Sequence, residues 1–279
     1  MKKHLSFTLL TVGGSIVCFL LRFLQNRCGF EPDTGLPIAG SPHSFLLPGV
    51  LLLLTAAAFL LCRQLPSEKK DTCPSFAAQF DSHCTAAFML VVGGIFLWCL
   101  SGLAGLLPPL LGHGELYTVT ASGLFYPVSA VTRRVNILLS ALLILAALCL
   151  FPAAAASRRG GDGQVSGNPL LLPVIYLILR LTISFREMSI NASQQTYYVD
   201  LLALILLTLS LYQLSSFAFR CGNTRRFALY SISAAVLCIT ALADTASLSD
   251  RLFLCGGAAL TTGFLLLRLS APPSGESVR

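Results

Sequence analysis

Polar and apolar residues along this 279-residue chain segregate into long blocks. Eight uncharged apolar runs stand out: Leu5–Leu21, Ser44–Cys62, Thr85–Leu111, Val135–Ser157, Gln164–Leu179, Leu201–Phe219, Phe227–Ala243 and Leu252–Leu267. A helix that crosses a bilayer needs about 20 such residues, with a range of about 17–25. The last run is short, but Arg251 and Arg268 flank it, and their stems can snorkel to the interface. A barrel is excluded, because its strands alternate every second residue and these runs are apolar on all sides. The pattern predicts an all-α, polytopic transmembrane helical bundle of eight spans.

The runs form two sets of four, and residues 1–279 read as a single transmembrane domain with halves 1–157 and 168–279. The connector, 158–167, is Gly-rich and belongs to the turn-forming stretch "SRRGGDGQVSGNP". "FLLRFL" around Arg22 echoes "LILRLT" around Arg180, and "LLCRQL" around Arg63 echoes "FAFRCG" around Arg220. These echoes suggest a 4+4 internal duplication of the parallel kind seen in membrane transport folds. Gly13–Gly14, Gly93–Gly94 and Gly256–Gly257 mark faces where helices can approach closely, either for tight packing or as sliding surfaces. The loop after the third run, Leu116–Thr132, is apolar but broken by Gly123 and Pro127, which suits a re-entrant or interfacial segment.

Composition agrees. Hydrophobic residues make up 55% of the chain and charged residues 11%, against about 25% charge in a soluble domain. Orientation follows from where the cations fall. With eight spans, one side carries Lys2, Lys3, Arg63, Lys69, Lys70, Arg158, Arg159, Arg220, Arg225, Arg226, Arg268 and Arg279. The other side carries Arg22, Arg27, Arg133, Arg134, Arg180, Arg186 and Arg251. Twelve against seven puts both termini in the cytoplasm of a multi-pass cell-membrane protein. The net charge of +7 is then a positive-inside bias, and no nucleic-acid partner is implied. The basic start "MKKH" leads into a run longer than a signal-peptide core, with no A-x-A-like site after it, so an uncleaved first span is expected.

Chemistry is sparse. No H-E-x-x-H, Walker-type phosphate loop or C-x-x-C occurs, and no run carries a His or Lys that could serve a nucleophilic Ser as base. Cys73, Asp81, His83 and Cys84 are zinc-compatible types, but they lack the paired C-x₂₋₄-C spacing and read as a plain loop. No enzymatic activity, cofactor or metal is expected. Nor does any run carry an ionisable residue at its centre, the usual mark of a proton-coupled carrier.

What remains is a set of charges near one end of several runs. Tyr176, Arg180 and Glu187 share a helical face. So do Tyr197, Asp200, Thr208, Tyr212 and Ser215 in the next run, and Ser233, Thr240, Asp244 and Ser247 in the one after. Arg22 lies at the matching height of the first run. On this topology Arg22, Arg180, Asp200 and Asp244 all come near the outer face. Arg22, Tyr176, Arg180, Tyr197, Asp200 and Asp244 are therefore the candidate ligand-binding residues, and Arg180 is expected to pair with Asp200 or Asp244. Each charge also has a plainer reading: the arginines snorkel, Asp200 caps a helix start, and Asp244 is interfacial.

The leading function is a permease-like or ligand- or lipid-binding membrane component with a polar site near the outer face. A structural or regulatory subunit, acting through a partner protein or a second copy on its Gly/Ala helix faces, is the alternative from a different class. An intramembrane enzyme is the weakest of the three. The lipid bilayer is the one partner common to all.

Overall fold

The computed structural model describes residues 2–29, 38, 42–65, 75–82, 84–110, 117–119, 125–127, 130–159, 165–189, 198–244 and 247–271. Its long helices are α1 (Lys2–Cys28), α2 (Pro42–Arg63), α4 (Thr85–Leu110), α5 (Ala130–Arg159), α6 (Gly167–Ser189), α7 (Tyr198–Ala218), α8 (Thr224–Ala241) and α9 (Leu248–Ser270). A short helix, α3 (Phe76–Phe80), precedes α4. Strands β1 (Tyr117–Val119) and β2 (Phe125–Pro127) lie between α4 and α5.

Each of the eight apolar runs coincides with a helix over most of its described residues. Seven of these, all but α8, are long and apolar enough to cross a membrane, so the chain is an integral, multi-pass membrane protein. The eighth run corresponds to α8, which has 18 residues and carries Arg225 and Arg226 in its first turn. This helix packs against α1, α2, α7 and α9. The helices also overrun their apolar cores. α1 continues past Leu21 through Arg22 to Cys28, and α9 starts four residues before Leu252, taking in Asp250.

Helices of the first half pack chiefly on the second: α4 makes its broadest contact with α9, and α1 with α8. The α4–α9 seam depends on missing side chains. A Cβ on Gly94 would lie 2.9 Å from the Leu260 backbone nitrogen, and one on Gly263 2.9 Å from that of Val91. Such close approach is how apolar helices associate in lipid, where no hydrophobic force separates helix from acyl chain. Trp98, fully buried on this seam, donates its indole N–H to the Phe253 carbonyl at 3.0 Å. Ser210 and Ser231 share a hydrogen bond of 2.8 Å across α7 and α8.

Where a re-entrant or interfacial segment was expected, the described residues form a pair of antiparallel strands with Tyr117 opposite Pro127 and Val119 opposite Phe125. Aromatic and β-branched residues on either side of Gly123 favour this pairing.

Between α2 and α4, in the stretch that reads as a plain loop, α3 is a tethered plug. Ser75 caps it by accepting from the Ala78 N–H. Phe80, fully buried, meets Phe217, Phe227 and Phe264 edge-on with ring centres 5.3–6.2 Å apart. Arg268 donates to the Gln79 carbonyl at 2.8 Å and to Thr224 Oγ1 at 3.0 Å. Cys73 and His83 lie outside the described residues.

Candidate functional site

The opposite end of the bundle is where α1, α6 and α8 finish and α7 and α9 begin. Near the end of α1, Arg22, Gln25 and Asn26 stand at i, i+3 and i+4, on one face. That face meets the turn after α8, which is tightened by the Asp244 N–H donating to the Ala241 carbonyl at 3.1 Å. Arg22 Nε donates to Asp244 Oδ1 at 2.9 Å, and Arg22 Nη1 to Gln25 Oε1 at 3.0 Å. Asn26 Nδ2 donates to the same Asp244 oxygen at 2.9 Å and to the Ala243 carbonyl at 3.2 Å. Two α1 side chains therefore hold one carboxylate, and one of them also satisfies a carbonyl freed at the helix end. Arg22 is 0% exposed and the Asp244 side chain 22%, so the guanidinium depends on this partner. The Tyr198 ring lies 5.3 Å from its Cζ, in range of a cation–π contact.

A second pair ties α6 to α9. Arg180 Nη2 donates to Asp250 Oδ1 at 2.6 Å, and Nη1 to the Tyr176 hydroxyl one turn back at 3.1 Å. Its Cζ lies 4.0 Å from the centre of the Phe253 ring. Phe253 stacks on Trp98, and Tyr176 meets Phe253 edge-on at 6.0 Å, so the arginine rests on an aromatic floor. Asp250 is held in turn: Ser247 Oγ donates to its Oδ2 at 2.7 Å and accepts its N–H at 3.2 Å, a reciprocal cap on α9. The side chains of Arg180 and Asp250 are 16% and 42% exposed. This pair is wetter than the first and contributes less.

Asp200 lies in the first turn of α7, where the helix dipole favours an anion. It is partly buried and within electrostatic reach of Arg180, Asp250 and Asp244. Among the described residues it forms no hydrogen bond or ion pair. Asn26 Oδ1 is also buried without a hydrogen-bond partner among the described residues. The Tyr198 hydroxyl is buried against Gln25 and Arg22.

Of the sequence candidates, Arg22, Tyr176, Arg180, Asp200 and Asp244 collect at this end, and Tyr197 lies outside the described residues. The partner expected for Arg180 is corrected: it is Asp250, while Asp244 belongs to Arg22. Ser247 is the cap of α9 rather than a member of the α8 stripe. Thr208 and Ser215 bond to carbonyls of their own helix and point to no ligand. Side-chain contacts of Glu187 are outside the described set. Sequence reasoning missed Gln25, Asn26, Tyr198 and Asp250. For Asp250 there was a signal, the S-x-x-D capping pattern of "SLSD" ahead of an apolar run.

No protein-family model matches the chain, and neither a curated protein nor a solved structure matches it.

Proposed function

We propose that this protein is a ligand-binding, permease-like component of the cell membrane, without enzymatic activity, whose polar site takes a cationic or zwitterionic group. One observation supports the reading above others. Five charged residues at this end are buried or half-buried, two guanidiniums against three carboxylates: Arg22, Arg180, Asp200, Asp244 and Asp250. Two pairs neutralise four of them. Asp200 is left with a charge that neither arginine's ion pair satisfies, at the start of a membrane-crossing helix. A positively charged group with its own hydrogen-bond donors completes the set, and Asn26 Oδ1 is a further acceptor nearby with no partner among the described residues.

In this reading α8 is an eighth span. Its four helical neighbours cover most of its surface, which fits its two arginines and lower hydropathy. Eight spans put both termini on the more basic, cytoplasmic side, and the polar site near the outer face. The second reading, a structural or regulatory subunit working through a partner protein, is favoured by α2. This helix is the least buried of the seven apolar spans.

The test is thermal unfolding of the purified protein in detergent with ethanolamine, phosphoethanolamine or inorganic phosphate. Ethanolamine and phosphoethanolamine should raise the midpoint, phosphate alone should not, and Asp200→Asn should remove the effect while remaining folded. No shift with either amine, or an equal shift in Asp200→Asn, would overturn the reading.

A further inference from the structure

At the end of the bundle opposite the polar site, four arginines gather where α2 finishes and α7 turns into α8. Arg63 closes α2, Arg220 lies in the turn, and Arg225 and Arg226 stand in the first turn of α8. Arg225 Nε donates to the Leu65 carbonyl at 2.8 Å, two residues past Arg63, which ties the two helix ends together. Arg63, Arg220 and Arg226 are exposed and Arg225 is half-buried. Among the described residues no carboxylate pairs with any of the four. The start of α8 adds potential of the same sign. Its first turn holds no acid, and its cap is the neutral Asn223 amide, which accepts the Arg225 and Arg226 N–H groups at 3.0 and 3.3 Å.

Arg220 carries a second signal. Its φ is 58°, and among the described residues it is the one non-glycine with a positive φ. The Arg220 N–H donates to the Phe217 carbonyl at 3.1 Å and the Cys221 N–H to the Ser216 carbonyl at 2.9 Å. That pair of bonds is a Schellman motif, whose left-handed position ordinarily takes glycine, because a side chain is strained there. The chain keeps an exposed arginine where glycine would end the helix at lower cost.

We infer that these arginines bind the phosphate of an anionic phospholipid in the bilayer around α2 and α7. Height supports this occupant. Arg63 ends one membrane-crossing segment and Arg220 follows another by two residues, so both guanidiniums reach the level of the headgroups. The neighbouring surface supports it too. Phe59 and Leu60, one turn before Arg63, and Phe219, next to Arg220, are exposed apolar side chains. A soluble anion uses only the charge, whereas a phospholipid sets its chains against these side chains and its phosphate against the guanidiniums. The guanidinium fork matches phosphate oxygens. A zwitterionic lipid offsets its own phosphate, so the uncompensated cations favour a headgroup with net negative charge. The inference is independent of the Asp200 site and of which leaflet this end faces.

The full chain is reconstituted in phosphatidylcholine vesicles with a trace of phosphatidylglycerol or phosphatidylcholine, each carrying a photoreactive group near its glycerol backbone. Labelling mapped by mass spectrometry at Phe59, Leu60 and Phe219 should be well above the phosphatidylcholine level for the phosphatidylglycerol probe. Each arginine near such a surface contributes roughly fivefold, so Arg220→Gly should lower the excess by about that factor. Its unfolding midpoint should stay level or rise, since glycine suits that φ. Arg63→Gln with Arg226→Gln should lower the excess further, independently of any backbone change. Equal labelling by the two probes, or an excess that survives in both variants, would overturn the inference. So would loss of the excess on adding glycerol phosphate at constant ionic strength, because the arginines would then be holding a soluble phosphate.

Discussion

The two ends of the bundle solve the same problem, an arginine drawn into an apolar protein, in opposite ways. At one end Arg22 meets Asp244 in the turn after α8, and Arg180 meets Asp250 on α9. At the other end Arg268 is held by the Gln79 carbonyl and the Thr224 hydroxyl, and Arg225 by the Leu65 carbonyl at 2.8 Å. There the closure itself is aromatic, with Phe80 wedged among three other rings. The oxygens described there are neutral and hold a cation without adding charge, and aromatic packing closes that end. Paired ions are sensitive to count. In the proposed reading Asp200 is the acid that neither pair uses, and a ligand supplies its partner.

The largest difference between the ends should appear on removing Asp244. Arg22 is fully buried, and an orphaned buried charge costs about 3–5 kcal/mol. Asp244→Ala should therefore lower folded yield and the unfolding midpoint sharply, and Arg22→Met in the same chain should restore much of the loss. Phe80→Ala, at the opposite end, should cost a similar amount, about 3–5 kcal/mol, through the cavity it leaves. No single second substitution of a charge should rescue it. A Phe80→Ala protein as stable as the parent would show that α3 is not the plug described.

Asp250→Ala comes next. Its ion pair is half in water and worth at most about 1 kcal/mol, to which the weakened cap on α9 adds. A loss as large as that of Asp244→Ala would mean that the Arg180 pair is drier than its exposure indicates. Smallest is Asp200→Asn, expected within about 0.5 kcal/mol of the parent because it breaks no pair. That near-silence in stability, together with loss of amine binding, is what separates a binding acid from a structural one.

The fold class was legible because membrane-crossing segments reveal themselves by length and absence of charge. Their ends were less so. Arg22 and Asp250 each lie inside a helix, yet each borders an apolar run, and a charge at that position looks like the end of a span. Only its tertiary partner makes it tolerable further in. For the same reason the pairing was out of reach. Arg22 and Asp244 are 222 residues apart, and a shared height cannot choose between three aspartates. The plug had a local signal in the Phe76–Phe80 spacing after Ser75, a one-turn helix with a cap, but five residues in a polar loop carry little weight.

Double-mutant cycles of Arg180 with each of its two neighbouring acids, read by thermal unfolding in detergent, test the central claim most directly. Measurable coupling, of the order of 0.5–1 kcal/mol, is expected between Arg180→Met and Asp250→Leu, and a smaller or absent coupling between Arg180→Met and Asp200→Asn. Coupling to Asp200 as strong as that to Asp250 would contradict it, because Arg180 would then be using the carboxylate assigned to a ligand.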